Sequence, residues 1–490
     1  MIYDFLLNIV SKHYLIEETI YLFEILKACS FSNAFFRKVK IFSENLVNES
    51  RKNTNLDNVD SILNTYNLST KEGIQMMCMA ESLLRIPDFY NFNSFIKDKL
   101  SFQEWNYYYS SDYWKIIIYN MIIDFIANFF YKNNINDFHL MIFIFRKIIF
   151  FFSNYVMKNI GKKFVYSSNE TNAIKKSLSD KNIYSFDMLG EAAITFYDAK
   201  KFFNQYQNAV KNISKTYLGC DFDRIPTISI KLSALNPKYS FSNRKRIFRD
   251  LIPILKILTI DIKKAKSALT IDAEECDRME LSLCLFSVIF NSKYCLYWHK
   301  FGLVIQAYSK RALPTLYWIN KIAYDKQTKI PVRLVKGAYW DYEVKNAQVL
   351  NLNMYPVYIK KFCTDLSYLL CSVYLLSNNC KDNIKPQFAT HNIQTISFVV
   401  ILGKKKKLEF QKLYGMGDNV YYALKKLQNI TCREYAPIGK YKELLPYLVR
   451  RLLENGANSS FVNKVINKNV NIKRLLLNPI LIKEEKYNKI

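Results

Sequence analysis

Eight short apolar runs after about residue 180 constrain the fold most strongly, because most are separated by enough residues for a helix. Strands that alternate with helices pair in parallel through right-handed crossovers. Eight such units are typical of a closed (β/α)8 barrel, whereas a doubly wound open sheet is the alternative that periodicity alone leaves open. The runs occupy residues 186–190, 228–233, 269–273, 303–308, 332–337, 387–390, 408–413 and 433–437.

The chain before these runs is typical of helices. Apolar residues recur at helical spacing around residues 15–26, and a capping box at Ser69 and Glu72 begins a helix that Pro87 ends. We therefore predict an α/β protein in which helical regions precede a TIM-like barrel. The predicted parts are an all-helical arm at residues 1–55, a helical domain at 56–175, the barrel domain at 176–475 and a C-terminal tail at 476–490.

Polar and charged residues cluster in and next to the strand-like runs, mostly toward their ends. Because all strands of a parallel barrel end at the same mouth, we expect these side chains to converge there. A buried charge is costly unless it is paired, so Lys231, Asp272 and Arg333 form either structural ion pairs or a site. The number of strands involved favours a site. The set comprises Lys231, Asp272, Gln306, Arg333, Lys336, Tyr339, Thr390, His391 and Tyr435.

A last helix, predicted over residues 441–454, carries a further signal. The spacing i, i+3, i+4 and i+7 places four of its side chains on one face, namely Tyr447, Arg450, Arg451 and Glu454. Such a face could be a solvated surface. Two guanidinium groups beside an aromatic ring also suit bidentate binding of a small carboxylate.

The net charge of +28 invites binding to a nucleic acid or an anionic membrane. Abundant Lys, Asn, Ile, Phe and Tyr, with only 11 Gly and 11 Pro, favour a chain-wide drift in composition instead. The apolar stretches 116–131 and 140–157 are interrupted by charges, so we predict no membrane-spanning helix. The four histidines and ten cysteines are scattered, and we expect no metal site.

Several long motifs extend these local patterns. They read ISIKLSALNPKYS (228–240), IDAEECDRMELSL (271–283), VIQAYSKR (304–311), VRLVKGAYWDYEVKNAQ (332–348), PQFATHN (386–392), EFQKLYGMGD (409–418) and REYAPIGKYKELLPYLVRRLLENGANSSFVN (433–463). Together they resemble the proline dehydrogenase domain of the proline utilisation A flavoproteins. Residues 68–88 are similar to that family's helical domain, and residues 184–195 to its first barrel strand.

The resemblance implies an FAD-dependent barrel enzyme that oxidises L-proline to Δ1-pyrroline-5-carboxylate, the first step of proline catabolism. It implies hydride transfer to flavin N5, with electrons then passed to a quinone. Matched positions imply that the proline carboxylate is bound by Lys231, Arg450 and Arg451. They imply a pocket around the pyrrolidine ring built from Asp272, Tyr339, Leu413, Tyr435 and Tyr447. They imply contacts with FAD from Gln306, Arg333, Lys336, Gly337, Ala338, Trp340, Thr390, His391 and Glu454.

This sequence differs from the family in several ways, and these differences change the partners that we expect. Bifunctional members continue into an aldehyde dehydrogenase domain that this sequence lacks, so either a separate pyrroline-5-carboxylate dehydrogenase acts next or the chain is a fragment. Residue 1 already lies in the helical arm, and we expect no N-terminal DNA-binding domain. Tyr414 and Asp418 stand where the family commonly has histidine and glutamate.

The resemblance and the net charge also suggest where the protein acts and what else it could do. We expect a cytoplasmic protein, with peripheral contact at the inner membrane as a further option because a quinone acceptor lies in the bilayer. The alternative function, which rests on the +28 charge, is a basic nucleic-acid or membrane-surface binding protein with a catalytically weakened barrel.

Overall fold

The computed structural model describes residues 2–52, 164–439 and a few positions between 465 and 481, apart from single positions 28, 181, 189, 191, 222, 223 and 405. The chain divides into two units. The first comprises Met1–Lys52, Tyr166–Gly439 and Lys468–Ile490, and the second comprises Asn53–Val165 and Lys440–Asn467. The second unit lies almost wholly outside the described residues, as do the predicted capping box at Ser69 and the two apolar stretches. The predicted domain boundaries stay a prediction.

The predicted N-terminal arm consists of three helices that pack on the outer helices of the barrel. In the second of them, Leu22 and Phe23 are buried against Leu366 and Leu370. In the third, Val39 is buried against Phe398, whose ring also meets the ring of Phe35 edge-on at 5.3 Å between centroids. Each such apolar side chain contributes about 1.5–3 kcal/mol on burial. The three helices are α1 (Ile2–Lys12), α2 (Glu18–Lys27) and α3 (Asn33–Lys52).

Eight parallel strands of the described chain close into a barrel in the order of the sequence. The closure is direct, because the first strand pairs in parallel with both the second and the eighth. This arrangement confirms the predicted TIM-like barrel and excludes the open sheet. The strands are β1 (Ile183–Asp187), β2 (Thr227–Ile230), β3 (Leu269–Ile271), β4 (Phe301–Gln306), β5 (Ile330–Val335), β6 (Ile384–Ala389), β7 (Glu409–Leu413) and β8 (Thr431–Pro437).

Each predicted run overlaps one of these strands, but most of the runs extend too far toward the mouth. The run predicted at 228–233 ends three residues after β2, and the run at 332–337 ends two residues after β5. After β2, β3 and β4 the buried pattern continues past the last residue of the strand, since Lys231, Asp272 and Ala307 are still buried. Lys231 and Asp272 therefore follow their strands directly rather than lying inside them.

The helices around the barrel form because their apolar residues recur on one face. On α6 (Arg244–Lys264), Leu251, Leu255, Leu258 and Ile262 are each fully buried at spacings of four, three and four residues. None of the helices in the described ranges is both long and apolar enough to cross a membrane. The barrel-associated helices are α4 (Glu170–Ser179), α5 (Phe196–Thr216), α6 (Arg244–Lys264), α7 (Met279–Phe290), α8 (Ala312–Asp325), α9 (Trp340–Val349), α10 (Lys361–Leu375), α11 (Ile393–Leu402) and α12 (Asp418–Gln428).

Part of the barrel interior is a paired charge network. The Arg433 side chain donates to Glu409 Oε1 from Nε at 2.8 Å, and Gln387 donates to the same oxygen at 2.9 Å. Burial raises the pKa of Glu409, but attraction to Arg433 outweighs it and the net pKa lies below its usual range. This network on strands β6 to β8 is separate from Lys231, Asp272 and Arg333, the residues for which the sequence left structural ion pairs open as an alternative.

We expect Arg433→Met to lower the free energy of unfolding by up to about 3–5 kcal/mol, because it removes the closest cation of the buried Glu409 carboxylate and leaves the half-exposed Lys385 ammonium at 3.7 Å. Urea denaturation at neutral pH measures this loss. The deficit should shrink as the pH falls through the depressed pKa of Glu409, since a protonated carboxyl needs no counter-ion. Arg249→Met is the control, because Arg249 is exposed and its pair with Asp250 is worth only about 0–1 kcal/mol. Equal losses for both variants would contradict the prediction.

Candidate active site

Four of the predicted site residues meet at the mouth of the barrel in one buried cluster. Lys231 lies directly after β2, Asp272 after β3, Arg333 within β5 and Tyr435 within β8. The Arg333 Nη1 atom donates to Asp272 Oδ1 at 2.9 Å, and the Tyr435 hydroxyl lies 2.7 Å from Asp272 Oδ2. The convergence expected from the parallel strands is therefore present for these four side chains.

A fifth member of the cluster is Asp187, which ends β1 and which the sequence analysis missed. Its Oδ2 atom accepts a hydrogen bond from Lys231 Nζ at 2.6 Å and also contacts the Tyr435 hydroxyl. Asp187 is fully buried. The signal that could have found it is an aspartate inside the apolar run 186–190, at the same strand end as Lys231 and Asp272 on the neighbouring strands.

Small hydroxyl residues hold Arg333 in place. Its Nη2 atom donates to Ser185 Oγ on β1 and to Ser229 Oγ on β2, each at 3.0 Å. Its guanidinium carbon lies 5.2 Å from the centroid of the Tyr435 ring, which is within the range of a cation–π contact. Ser185 and Ser229 were also missed, because a serine in a strand gives no signal of its partner in the sequence.

The cluster contains two carboxylates and two cations, so its formal charge is balanced. Burial raises the pKa of Asp187, although Lys231 opposes that shift. Burial also raises the pKa of Tyr435 well above its usual value, so its hydroxyl stays protonated. A balanced, hydrogen-bonded set is the arrangement in which buried charges are tolerated, and removing one member leaves its partner uncompensated.

A second group of predicted residues surrounds the loop after β5. Gln306 donates from Nε2 to the Glu274 carbonyl at 2.8 Å and accepts the Ala338 N–H on Oε1 at 3.1 Å. Gly337 has a φ of 144°, and a Cβ placed there would lie 2.4 Å from the Tyr308 ring. Only glycine fits this close approach without displacing the ring.

Lys336 and Trp340 connect the same loop to the following helical segment. The Lys336 ammonium pairs with Asp365 on α10, which Lys361 also contacts at 2.7 Å. Burial lowers the pKa of Lys336. Trp340 donates from Nε1 to the Tyr358 carbonyl at 2.9 Å and keeps 40% of its surface exposed. These two side chains thus lie outside the buried charge cluster, because their polar atoms contact Asp365 and the Tyr358 carbonyl instead.

The ends of β6 and β7 place Thr390, His391 and Leu413. Thr390 and His391 directly follow β6, and Leu413 is the last residue of β7. The Asn392 side chain caps α11 by accepting the Thr395 N–H at 3.1 Å, so the link between β6 and α11 is very short. In this link His391 Nε2 accepts the Leu413 N–H at 3.4 Å. The link therefore places His391 beside Leu413 at the end of β7.

The remaining predicted residues divide into two cases. Tyr339 precedes the first residue of α9, in the loop after β5. The face of the last predicted helix, with Tyr447, Arg450, Arg451 and Glu454, lies outside the described residues. Its four implied roles stay predictions.

Comparison with known proteins gives strong similarity over most of the chain. The chain is 37% identical to the Bifunctional protein PutA of Klebsiella aerogenes over 89% of its length, and 36% identical to that of Escherichia coli over 90%. It spans only 35% of each of these relatives. A crystal structure of a mutant of Bradyrhizobium japonicum Proline Utilization A is 36% identical and superposes with a TM-score of 0.74, covering 95% of this chain and 48% of that one.

One comparison corrects the sequence analysis. Residues 58–126 match a family described as the DNA-binding domain of Proline dehydrogenase. The expectation that the chain contains no DNA-binding domain is therefore wrong as far as this family is concerned. The expectation concerned a domain at the very start of the chain, whereas the match falls in the predicted helical domain, outside the described residues.

The barrel gives the comparison that decides the family. Residues 171–464, more than half of the 490-residue chain, match the family described as Proline dehydrogenase. This range begins with α4 and includes all eight strands and the buried cluster at the mouth. The resemblance stated from the sequence motifs is confirmed, and the chain belongs to the proline dehydrogenase family.

Proposed function

We propose that the protein is an FAD-dependent enzyme that oxidises L-proline to Δ1-pyrroline-5-carboxylate. The observation that carries this proposal is the buried cluster of Lys231, Asp187, Asp272, Arg333 and Tyr435 at the barrel mouth. Active sites of this fold lie at the carboxyl ends of the strands. A family match supports the reaction, and the cluster supplies side chains suited to a small zwitterion.

The substrate carboxylate would bind the Lys231 ammonium, which is held at the mouth by one carboxylate and lies 4.0 Å from a second. Arg450 and Arg451 would complete this binding, as the family resemblance implies. Tyr435 would form an aromatic wall with a polar tip, and Leu413 and Tyr339 would enclose the ring. Together these residues would orient the substrate and keep water from its reacting carbon.

The described residues fit a flavin on the side of the mouth formed by β4 to β6. Gly337 has no side chain at a position where a Cβ would collide with the Tyr308 ring. The Arg333 Nε atom is buried and has no hydrogen-bond partner among the described residues. When bound, FAD supplies the hydride acceptor. The residues that would hold it are Gln306, Arg333, Lys336, Gly337, Ala338, Trp340, Thr390 and His391, with Glu454 from the predicted last helix.

The remaining parts of the proposal concern partners. Electrons would pass to a quinone in a membrane, which requires the protein to reach a bilayer surface from the cytoplasmic side. The pyrroline product would go to a pyrroline-5-carboxylate dehydrogenase. The alternative of a nucleic-acid or membrane-surface binding protein with a weakened barrel is not proposed. The net charge and the match of residues 58–126 to a DNA-binding family bear on it, but the larger family match covers the whole barrel.

Steady-state kinetics test the activity. We expect the full chain, purified with FAD, to reduce an artificial electron acceptor in a manner that depends on L-proline. The product should form the coloured adduct that pyrroline carboxylates give with o-aminobenzaldehyde. The same protein stripped of FAD is the control and should be inactive until FAD is restored. A flavin-loaded protein that forms no adduct would contradict the proposed function.

A further inference from the structure

Asp187 makes contacts that no other described residue of the cluster duplicates. One of its oxygens, Oδ2, serves both the Lys231 ammonium at 2.6 Å and the Tyr435 hydroxyl. The other oxygen, Oδ1, is buried and has no hydrogen-bond partner among the described residues. A fully buried carboxylate with an unsatisfied oxygen is costly, so its presence at the barrel mouth suggests a function beyond packing.

The position of Lys231 depends more on Asp187 than on Asp272. Lys231 Nζ lies 4.0 Å from Asp272 Oδ2, beyond hydrogen-bond distance. Asp272 is already bonded to Arg333 through its other oxygen at 2.9 Å. Asp187 is therefore the carboxylate that sets where the ammonium points, while Asp272 fixes the guanidinium.

The hydroxyl of Tyr435 lies between the two carboxylates of the cluster. It carries one proton but lies against two carboxylate oxygens, Asp187 Oδ2 and Asp272 Oδ2. It can donate to one of them at a time. Asp187 thus connects the side chain that would bind the substrate carboxylate to the aromatic ring that would pack beside it.

We propose that Asp187 is a positioning residue of the reaction, which orients the Lys231 ammonium for the substrate. This inference rests on the proposed function. Asp187 acts through Lys231, so its removal should weaken substrate use only while Lys231 is present. A carboxylate needed only to stabilise the barrel would have the same effect in either background.

A double-mutant cycle separates these two roles. We compare Asp187→Asn, Lys231→Met and the combination of both with the wild-type holoenzyme. The asparagine keeps the shape of the side chain, and the double variant removes both charges together, which buried sites tolerate better than the loss of one. Asp180→Asn is the matched control. Asp180 accepts hydrogen bonds from two tyrosine hydroxyls, those of Tyr166 at 2.6 Å and Tyr184 at 2.7 Å. It precedes β1, whereas Asp187 is the last residue of β1.

We expect Asp187→Asn to raise the KM for proline at least about 10-fold, equivalent to about 1.4 kcal/mol. The affinity for FAD, measured by titrating the apoprotein, should change less than about 2-fold, and Asp180→Asn should change neither quantity. In the Lys231→Met background the same substitution should change kcat/KM by less than about 3-fold. Should Asp187→Asn alone fail to fold, the proposal requires that the double variant fold and match Lys231→Met.

Three results would overturn the proposal. The first is a KM of Asp187→Asn equal to that of Asp180→Asn. The second is an equal loss in kcat/KM in both backgrounds, which would show a purely structural role. The third is a double variant that fails to fold or falls well below Lys231→Met. An inactive wild-type holoenzyme would instead defeat the proposed function, and the inference with it.

Discussion

Lys231→Met should lower kcat/KM for proline by about 100-fold or more while leaving FAD bound. The methionine keeps much of the length and volume of the side chain but removes the ammonium that would pair with the substrate carboxylate. A hundredfold loss corresponds to about 2.7 kcal/mol, within the about 2–5 kcal/mol expected when one partner of a buried charge pair is truncated. Most of the loss should appear in KM, because the interaction is made in the bound substrate as well as in the transition state.

The stability of this variant gives a second check. Without Lys231, the fully buried Asp187 loses its charged partner, which costs about 3–5 kcal/mol if the carboxylate stays ionised. Burial already raises the pKa of Asp187, and removal of Lys231 raises it further. The stability deficit relative to wild type should therefore be largest at high pH and shrink as the pH falls.

The exposed lysine Lys361 supplies the control for Lys231→Met. Lys361→Met removes an exposed lysine paired with Asp365, and it should leave KM within about 2-fold of wild type. Kinetics of the two variants under identical conditions give the comparison. A KM for Lys231→Met close to that of the control would show that the ammonium at the mouth does not bind the substrate.

Gly337→Ala should weaken FAD binding by at least about 30-fold. The new Cβ would lie 2.4 Å from the Tyr308 ring, and the φ of 144° is one that L-residues rarely adopt. Strain of this kind costs about 1–3 kcal/mol, and overpacking adds about 1–3 kcal/mol. The loop must shift to relieve both, which breaks the 3.1 Å hydrogen bond between Ala338 N–H and Gln306.

Gly219→Ala is the control that separates the cost of backbone strain from the cost of a steric clash. Gly219 also has a positive φ, of 82°, but a Cβ there would meet nothing within 4 Å. We expect this control to lose about 1 kcal/mol of stability and to bind FAD normally. Flavin content after purification and titration of the apoproteins provide the readouts. Normal FAD affinity in Gly337→Ala would mean that the loop after β5 does not form the cofactor cradle.

The sequence predicted the barrel because its signal is repeated. Each of the eight strand-like runs is short and ambiguous alone, but eight of them with helix-length spacers are compatible with few folds. The strand ends were less predictable. Residues such as Lys231 and Asp272 continue a buried pattern after the strand's hydrogen bonds have ended, so the pattern alone does not show where the loop begins.

The site was predictable as a set of polar strand ends but not as a set of pairs. Asp187 and Lys231 are 44 positions apart in the chain, and Arg333 and Ser185 are 148 apart. The barrel register makes them neighbours, and no local pattern encodes which strand end faces which. Ser185 and Ser229 show the limit most clearly, since a buried serine becomes informative only when its guanidinium partner is known.

Anaerobic titration of the flavin-loaded protein with L-proline tests the central claim most directly. The claim is that the buried charges at the barrel mouth hold proline against a bound flavin. We predict that the visible absorbance of the oxidised flavin bleaches stoichiometrically with proline in the wild type. In Lys231→Met, bleaching should require far higher proline concentrations. A wild-type protein that binds FAD but keeps its full visible absorbance at saturating proline would contradict the account.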